Sequence, residues 1–161
     1  MRARQGSVGK AHTSPTRQRG KCERMETTFT QLNHGWNAQP NAPFPEVRVD
    51  GDTVTLEFSA NPYQYPSFTD GQRLRLVFRR VWRYGLSSVN DEGWYMGQCR
   101  FSGIAPAWGE FYEVSGDLRL EECKIEWKNV TQEPGADYRH YLFYLRDGTF
   151  ECDAISWELI T

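Results

Sequence analysis

No stretch of this 161-residue chain approaches the roughly 20 consecutive apolar side chains that a membrane helix requires, so no membrane association is expected. Convincing helical periodicity is also missing from every segment of ten or more residues, which leaves alternating β-structure as the main way to build a core. The phosphate-binding patterns GxxxxGK[ST] and GxGxxG are absent, and so is the G-x-S-x-G nucleophile elbow. Histidine is scarce: three in all, one of them His12 in the leader, with no HxH or HExxH spacing. With no paired CxxC either, no metal site and no cofactor are expected. The four cysteines (Cys22, Cys99, Cys123 and Cys152) lie far apart. The leader lacks the apolar h-region of an export signal, so the expectation is a cytoplasmic, reducing location, with Cys99, Cys123 and Cys152 filling core space. Without secretion, the acceptor triplet Asn129-Val130-Thr131 carries no meaning.

Charge and aromatic rings are plentiful. Residues 1–24 hold seven Arg or Lys against one Glu, whereas 25–161 hold twelve basic and twenty acidic residues, so a leader of +6 precedes a body of −8. The leader, rich in Arg, Ser, Thr, Gln and Gly, is expected to be either a disordered tail or upstream sequence outside the working protein with Met25 as the real start, ahead of a single β-rich domain over 25–161. An acidic body disfavours a phosphate backbone, so no nucleic-acid partner is expected. Aromatics make up 14% of the chain, enough to supply both a core and a recognition surface.

Period-two alternation marks the strands. Val54, Leu56 and Phe58 alternate with polar residues in TVTLEFS, and Leu74, Leu76 and Phe78 do so after Asp70-Gly71. Arg80 shares their parity, which puts a guanidinium at the core edge or in a cleft. RYGLSSVNDEG (83–93) reads as a loop. WYMGQCRF and the stretch from Leu118 to Trp127 read as strands, the first with a bulge at Gly97 and the second with one at Glu121-Glu122. AWGEFYEVSG reads as an aromatic strand, although Trp108, Phe111 and Tyr112 also fit a short helix. Pro134-Gly135 marks a loop before the strongest signal, RHYLFYLRDGTFECDAISW. There Asp147-Gly148 suits a type I′ hairpin turn, with Tyr141, Phe143 and Leu145 on the core face and His140, Leu142 and Tyr144 opposite. About eight strands result. The predicted fold is an all-β antiparallel sandwich, with a closed or partly open barrel as the alternative.

Candidate chemistry is sparse. Glu110 and Glu113 flank Trp108, Phe111 and Tyr112, the carboxylate-and-ring combination of a glycosidase or carbohydrate-binding site. Glu151 and Asp153 share a strand face on which His140 could join them around a metal; a solvated acidic face is the favoured reading. Trp36, beside His34 in an otherwise polar segment, anchors the core edge or lines a ligand surface. Tyr63, Tyr65 and Phe68 near Arg79, Arg80 and Arg83 could stack bases, against the acidic trend. The leading functional expectation is a noncatalytic protein that presents Trp36, Tyr63, Tyr65, Arg80, Trp108 and Tyr112 to a protein partner. A hydrolase or carbohydrate binder using Glu110, Glu113, Glu151 or Asp153 is the alternative.

The blocks LNHGWNAQPNAP, NDEGWYMGQCRF, WGEFYEVSG and YLFYLRDGTFECDA resemble those of small uncharacterised bacterial proteins of unknown function. They span most of residues 32–157. The resemblance implies a bacterial protein and a body that starts near Met25, and it brings no activity or site residue with it.

Overall fold

The structure, a computed structural model, describes residues 25–132 and 137–161. The readings of residues 1–24 and of the Pro134-Gly135 loop lie outside the described residues. Among the described residues, ten strands form two antiparallel sheets, an open sandwich with no closed barrel. Six strands make the larger sheet: β1 (Thr28–Gln31), β5 (Arg83–Ser87), β6 (Phe111–Ser115), β7 (Lys128–Asn129), β8 (Arg139–Leu145) and β9 (Gly148–Ala154), in the order β1-β6-β8-β9-β5-β7. The smaller sheet runs β10-β4-β3-β2, from β2 (Glu46–Asp50), β3 (Thr53–Ser59), β4 (Arg73–Arg79) and β10 (Ser156–Ile160).

Alternation in β3 and β4 turns Val54, Leu56, Phe58, Leu74, Leu76 and Phe78 inward, where they meet Phe111, Tyr141, Phe143, Phe150 and Cys152 of the larger sheet. Trp36 is buried among them, packed on Phe58, Phe111 and Phe143. β9 passes through Ile155 into β10, so one length of chain belongs to both sheets; the Ile155 N–H donates to the Arg79 carbonyl at 3.2 Å. Arg80 stands exposed at the end of β4 with φ +53°, and this left-handed residue reverses the parity so that Val81 enters the core.

The other face of the larger sheet is covered as well. Residues 88–127, apart from β6, fold over it as a cap with one short helix, α1 (Asp91–Tyr95), and a 3₁₀ turn at Glu122–Lys124. Cys99, Phe101 and Ala105 of the cap pack on Tyr112, Val114, Leu142 and Tyr144. Several expectations fail in this region. RYGLS is strand β5, paired with β9, because Tyr84 and Leu86 take places opposite Cys152 and Phe150. WYMGQCRF is the end of α1 and a series of turns. Asn90 caps α1 by accepting from the Gly93 N–H at 3.0 Å, and Gly97 ends it at φ +75° with no neighbour against it, a helix stop rather than a bulge. Leu118 to Trp127 holds turns; Glu121 is left-handed, at φ 52°. No helix forms around Ala107–Glu113, since β6 occupies its second half.

The terminal hairpin pairs Leu145 with Gly148, so Arg146 and Asp147 form the two-residue turn, one position earlier than expected. None of Arg146, Asp147 and Gly148 has a positive φ, and the turn is not type I′. Gly148 is required for space: a Cβ there would lie 2.6 Å from the Ser87 carbonyl oxygen on β5. Cys99 and Cys152 are buried as expected, whereas Cys123 is exposed.

Candidate functional site

Two places gather polar groups. The first lies under the cap, on the outer face of β8 and β9. Pairing puts His140 opposite Asp153 and one register step from Glu151. The imidazole meets Asp153 through Nδ1 at 2.7 Å and Glu151 through Nε2 at 2.8 Å. Ionised carboxylates only accept, so with both charged the two ring nitrogens donate and the ring is an imidazolium. Arg100, from the cap, donates to Glu151 at 2.5 Å and to the Leu120 carbonyl at 3.1 Å. Arg83 on β5 bridges Asp153 at 2.6 Å and Glu122 at 2.5 Å, its guanidinium 4.0 Å from the Trp127 ring centre and 4.2 Å from that of Trp82. Three cations face three carboxylates.

Burial alone would push His140 toward the neutral form, but the hydrogen bonds and charges of Asp153 and Glu151 outweigh it and raise its pKa to about 9. Burial alone would raise Asp153; its bonds to His140 and Arg83 hold it below the usual carboxylate range instead. This corrects the expectation of a solvated acidic face on the side of β9 that His140 shares: His140 and Glu151 are each 1% exposed. The parity was right, but the cap covers the face. No group of three or more His, Cys, Asp or Glu among the described residues has the arrangement of a metal site. Here the ring nitrogens and the carboxylates are already joined to one another.

The second place is a cleft of about 590 Å³ at the end of the sandwich where β3 ends, β6 begins and β8 turns into β9. One wall is the segment 37–41, held to the end of β3 by the Ala38–Ala60 bridge and by the Gln39 N–H donating to the Ser59 carbonyl at 2.8 Å. Asn61, Gln64, Asp91 and Glu92 of α1, Trp108, Arg146 and Asp147 also line the cleft. Trp108 is half-buried and stacks on Tyr144 with ring centres 5.0 Å apart. Glu110 is positioned by two amides, accepting through Oε2 from Asn33 at 2.6 Å and Gln31 at 3.0 Å.

The remaining candidates disperse. Glu113 of β6 pairs with the exposed Arg139 at 3.5 Å. Tyr112 is buried, its hydroxyl donating to the Ala107 carbonyl at 3.1 Å, and Trp36 belongs to the core. Tyr63 is 75% exposed in the turn between Asn61 and Gln64, whereas Tyr65 is half-buried. Of the expected residues, only Glu110 and Trp108 line the cleft. Asn37, Gln39, Asn61, Asn90 and Asp91 were not singled out, although the amide-rich run LNHGWNAQPNAP was a visible signal. Among the described residues, no helix is long and apolar enough to cross a membrane. No family model, curated protein or solved structure matches this chain.

Proposed function

We propose that this β-sandwich is a noncatalytic binding protein that takes a protein partner at the cleft and its rim. The observation that carries the reading is the exposure of large side chains on two of the segments that line the polar cleft. Tyr63 lies between Asn61 and Gln64 in the chain, and Tyr95 and Met96, 77% and 73% exposed, end the helix that Asp91 and Glu92 begin. Tyr and Met are enriched at recognition surfaces because they offer contact area while a polar surround supplies hydrogen bonds. The dispersal of the four carboxylates considered for hydrolysis supports binding over catalysis: Glu151 and Asp153 are sealed in ion pairs, Glu113 pairs with Arg139, and Glu110 alone reaches the cleft.

A photo-crosslinking side chain placed at Tyr63 or Tyr95 tests the reading in the native cell. The same protein should be captured from both positions, and Met96→Asp should abolish its capture while leaving the urea midpoint unchanged. Capture of no common protein, together with binding of neutral oligosaccharides that Trp108→Ala abolishes, would replace this reading with a carbohydrate-binding one.

A further inference from the structure

Three of the cleft's amides are not free to present either end. The Asn37 Oδ1 accepts from the Ala38 N–H at 2.7 Å, the Gln39 Oε1 from the Ala42 N–H at 2.7 Å, and the Asn90 Oδ1 from the Gly93 N–H at 3.0 Å. Each oxygen is therefore committed to the chain's own backbone, which fixes each amide orientation and leaves the NH₂ group as the outward donor. Asn37 is the telling case: it is 9% exposed, it lines the cleft, and its Nδ2 has no acceptor among the described residues. That nitrogen is not sealed from solvent, so a bound segment can bring an acceptor to it without breaking any contact within the protein. Charge adds the complementary demand. Asp91, Glu92, Glu110 and Asp147 line the same cleft with Arg146 as the single cation, and Arg146 is turned to the Asn41 carbonyl at 2.7 Å.

We infer that the cleft receives an extended protein segment that offers backbone carbonyls to the amide groups of Asn37, Gln39 and Asn90 and a lysine or arginine side chain to Asp91, Glu92 and Glu110. This rests on the protein-binding reading and gives the partner its chemistry. An extended chain alternates carbonyl acceptors with side chains, so one strand-like segment can meet a row of donors and still place a cation between carboxylates. Opposite charge across the contact also speeds encounter and rejects acidic competitors.

The test pans phage-displayed random dodecapeptides against the immobilised full chain and measures the selected synthetic peptides by calorimetry. Lysine or arginine should recur at one position of the selected sequences. Asn37→Asp keeps the acceptor for the Ala38 N–H but removes the donor, and should weaken binding roughly tenfold or more. The surface pair Asp91→Lys with Glu92→Lys, which leaves the core untouched, should weaken it by a similar factor and flatten its salt dependence. Selection of neutral or acidic peptides at this cleft would overturn the cationic segment while leaving a protein-binding cleft intact. Peptides indifferent to all three substitutions, or no selected peptide at all, would overturn the inference together with the assignment of binding to the cleft.

Discussion

The two faces of the six-stranded sheet are both buried, and they are buried by opposite means. The inner face presents Phe111, Tyr141, Phe143, Phe150 and Cys152 to the second sheet, and its stability is removal of apolar area from water. The outer face carries His140, Glu151 and Asp153 beside Leu142 and Tyr144, and its cap is held by ion pairs as well as by rings. An apolar face tolerates neighbours of similar volume. A buried ionic centre tolerates the loss of no single partner, because removing one leaves the others charged and unpaired.

That contrast can be broken most forcefully at Glu151. Glu151→Gln leaves the imidazolium and the Arg100 guanidinium without their shared anion and should cost about 3 to 5 kcal/mol in urea unfolding. Phe143→Ala on the inner face should cost about as much through its cavity. The two losses separate with pH, since only the first involves groups that titrate. For wild type, the His140 pKa is raised in the folded state to about 9. Its contribution is therefore fully present below the ordinary histidine value near 6.5 and is lost as pH rises through 9, a change of about 3 kcal/mol. Asp153, lowered in the folded state, contributes above the ordinary carboxylate range and loses its contribution only as pH falls through its depressed value. Urea midpoints from pH 5 to 10 should decline for wild type, and the difference between wild type and Phe143→Ala should stay flat. A flat wild-type curve would mean that the ring is neutral.

Smaller effects sharpen the comparison. Gly148→Val should destabilise by about 1 to 3 kcal/mol, because the new side chain presses on the Ser87 carbonyl and pushes β5 from β9. Thermal melts of Gly148→Ala and Gly148→Val should rank with side-chain size, an ordering that a purely dihedral cause would not give. Smallest of all is the exposed Arg79–Glu158 pair on the smaller sheet, where nothing excludes water. Arg79→Ala should change stability by no more than about 1 kcal/mol, and less in high salt.

How much of this was legible depended on what each signal encodes. TVTLEFS became β3 with its exact bounds because its alternation faces one core and one solvent-side layer. For His140 the alternation named the face correctly and said nothing about what would cover it; that depended on a cap with no regular periodicity. In WYMGQCRF the period-two pattern was accidental, and the Asn90 cap followed by Gly97 outweighed it. The hairpin shifted by one residue because the local Asp-Gly preference was weaker than the need for a side chain-free position against β5. The cleft was readable only in part: Glu110 and Trp108 are separated in sequence by Gly109 alone, but Asn37 and Asp91 meet them only through the end of the sandwich.

Cys152 turns the architecture into a clock. Its thiol is fully enclosed between the sheets, and burial drives it far toward the protonated form. A thiol reagent can reach it only when the sheets part, so its modification rate counts excursions of the whole sandwich. Cys123, exposed on the cap, reacts without any such excursion and supplies an internal reference in the same molecule. The ratio of the two rates reads the free energy of opening under native conditions, without denaturant and without a probe being added to the protein.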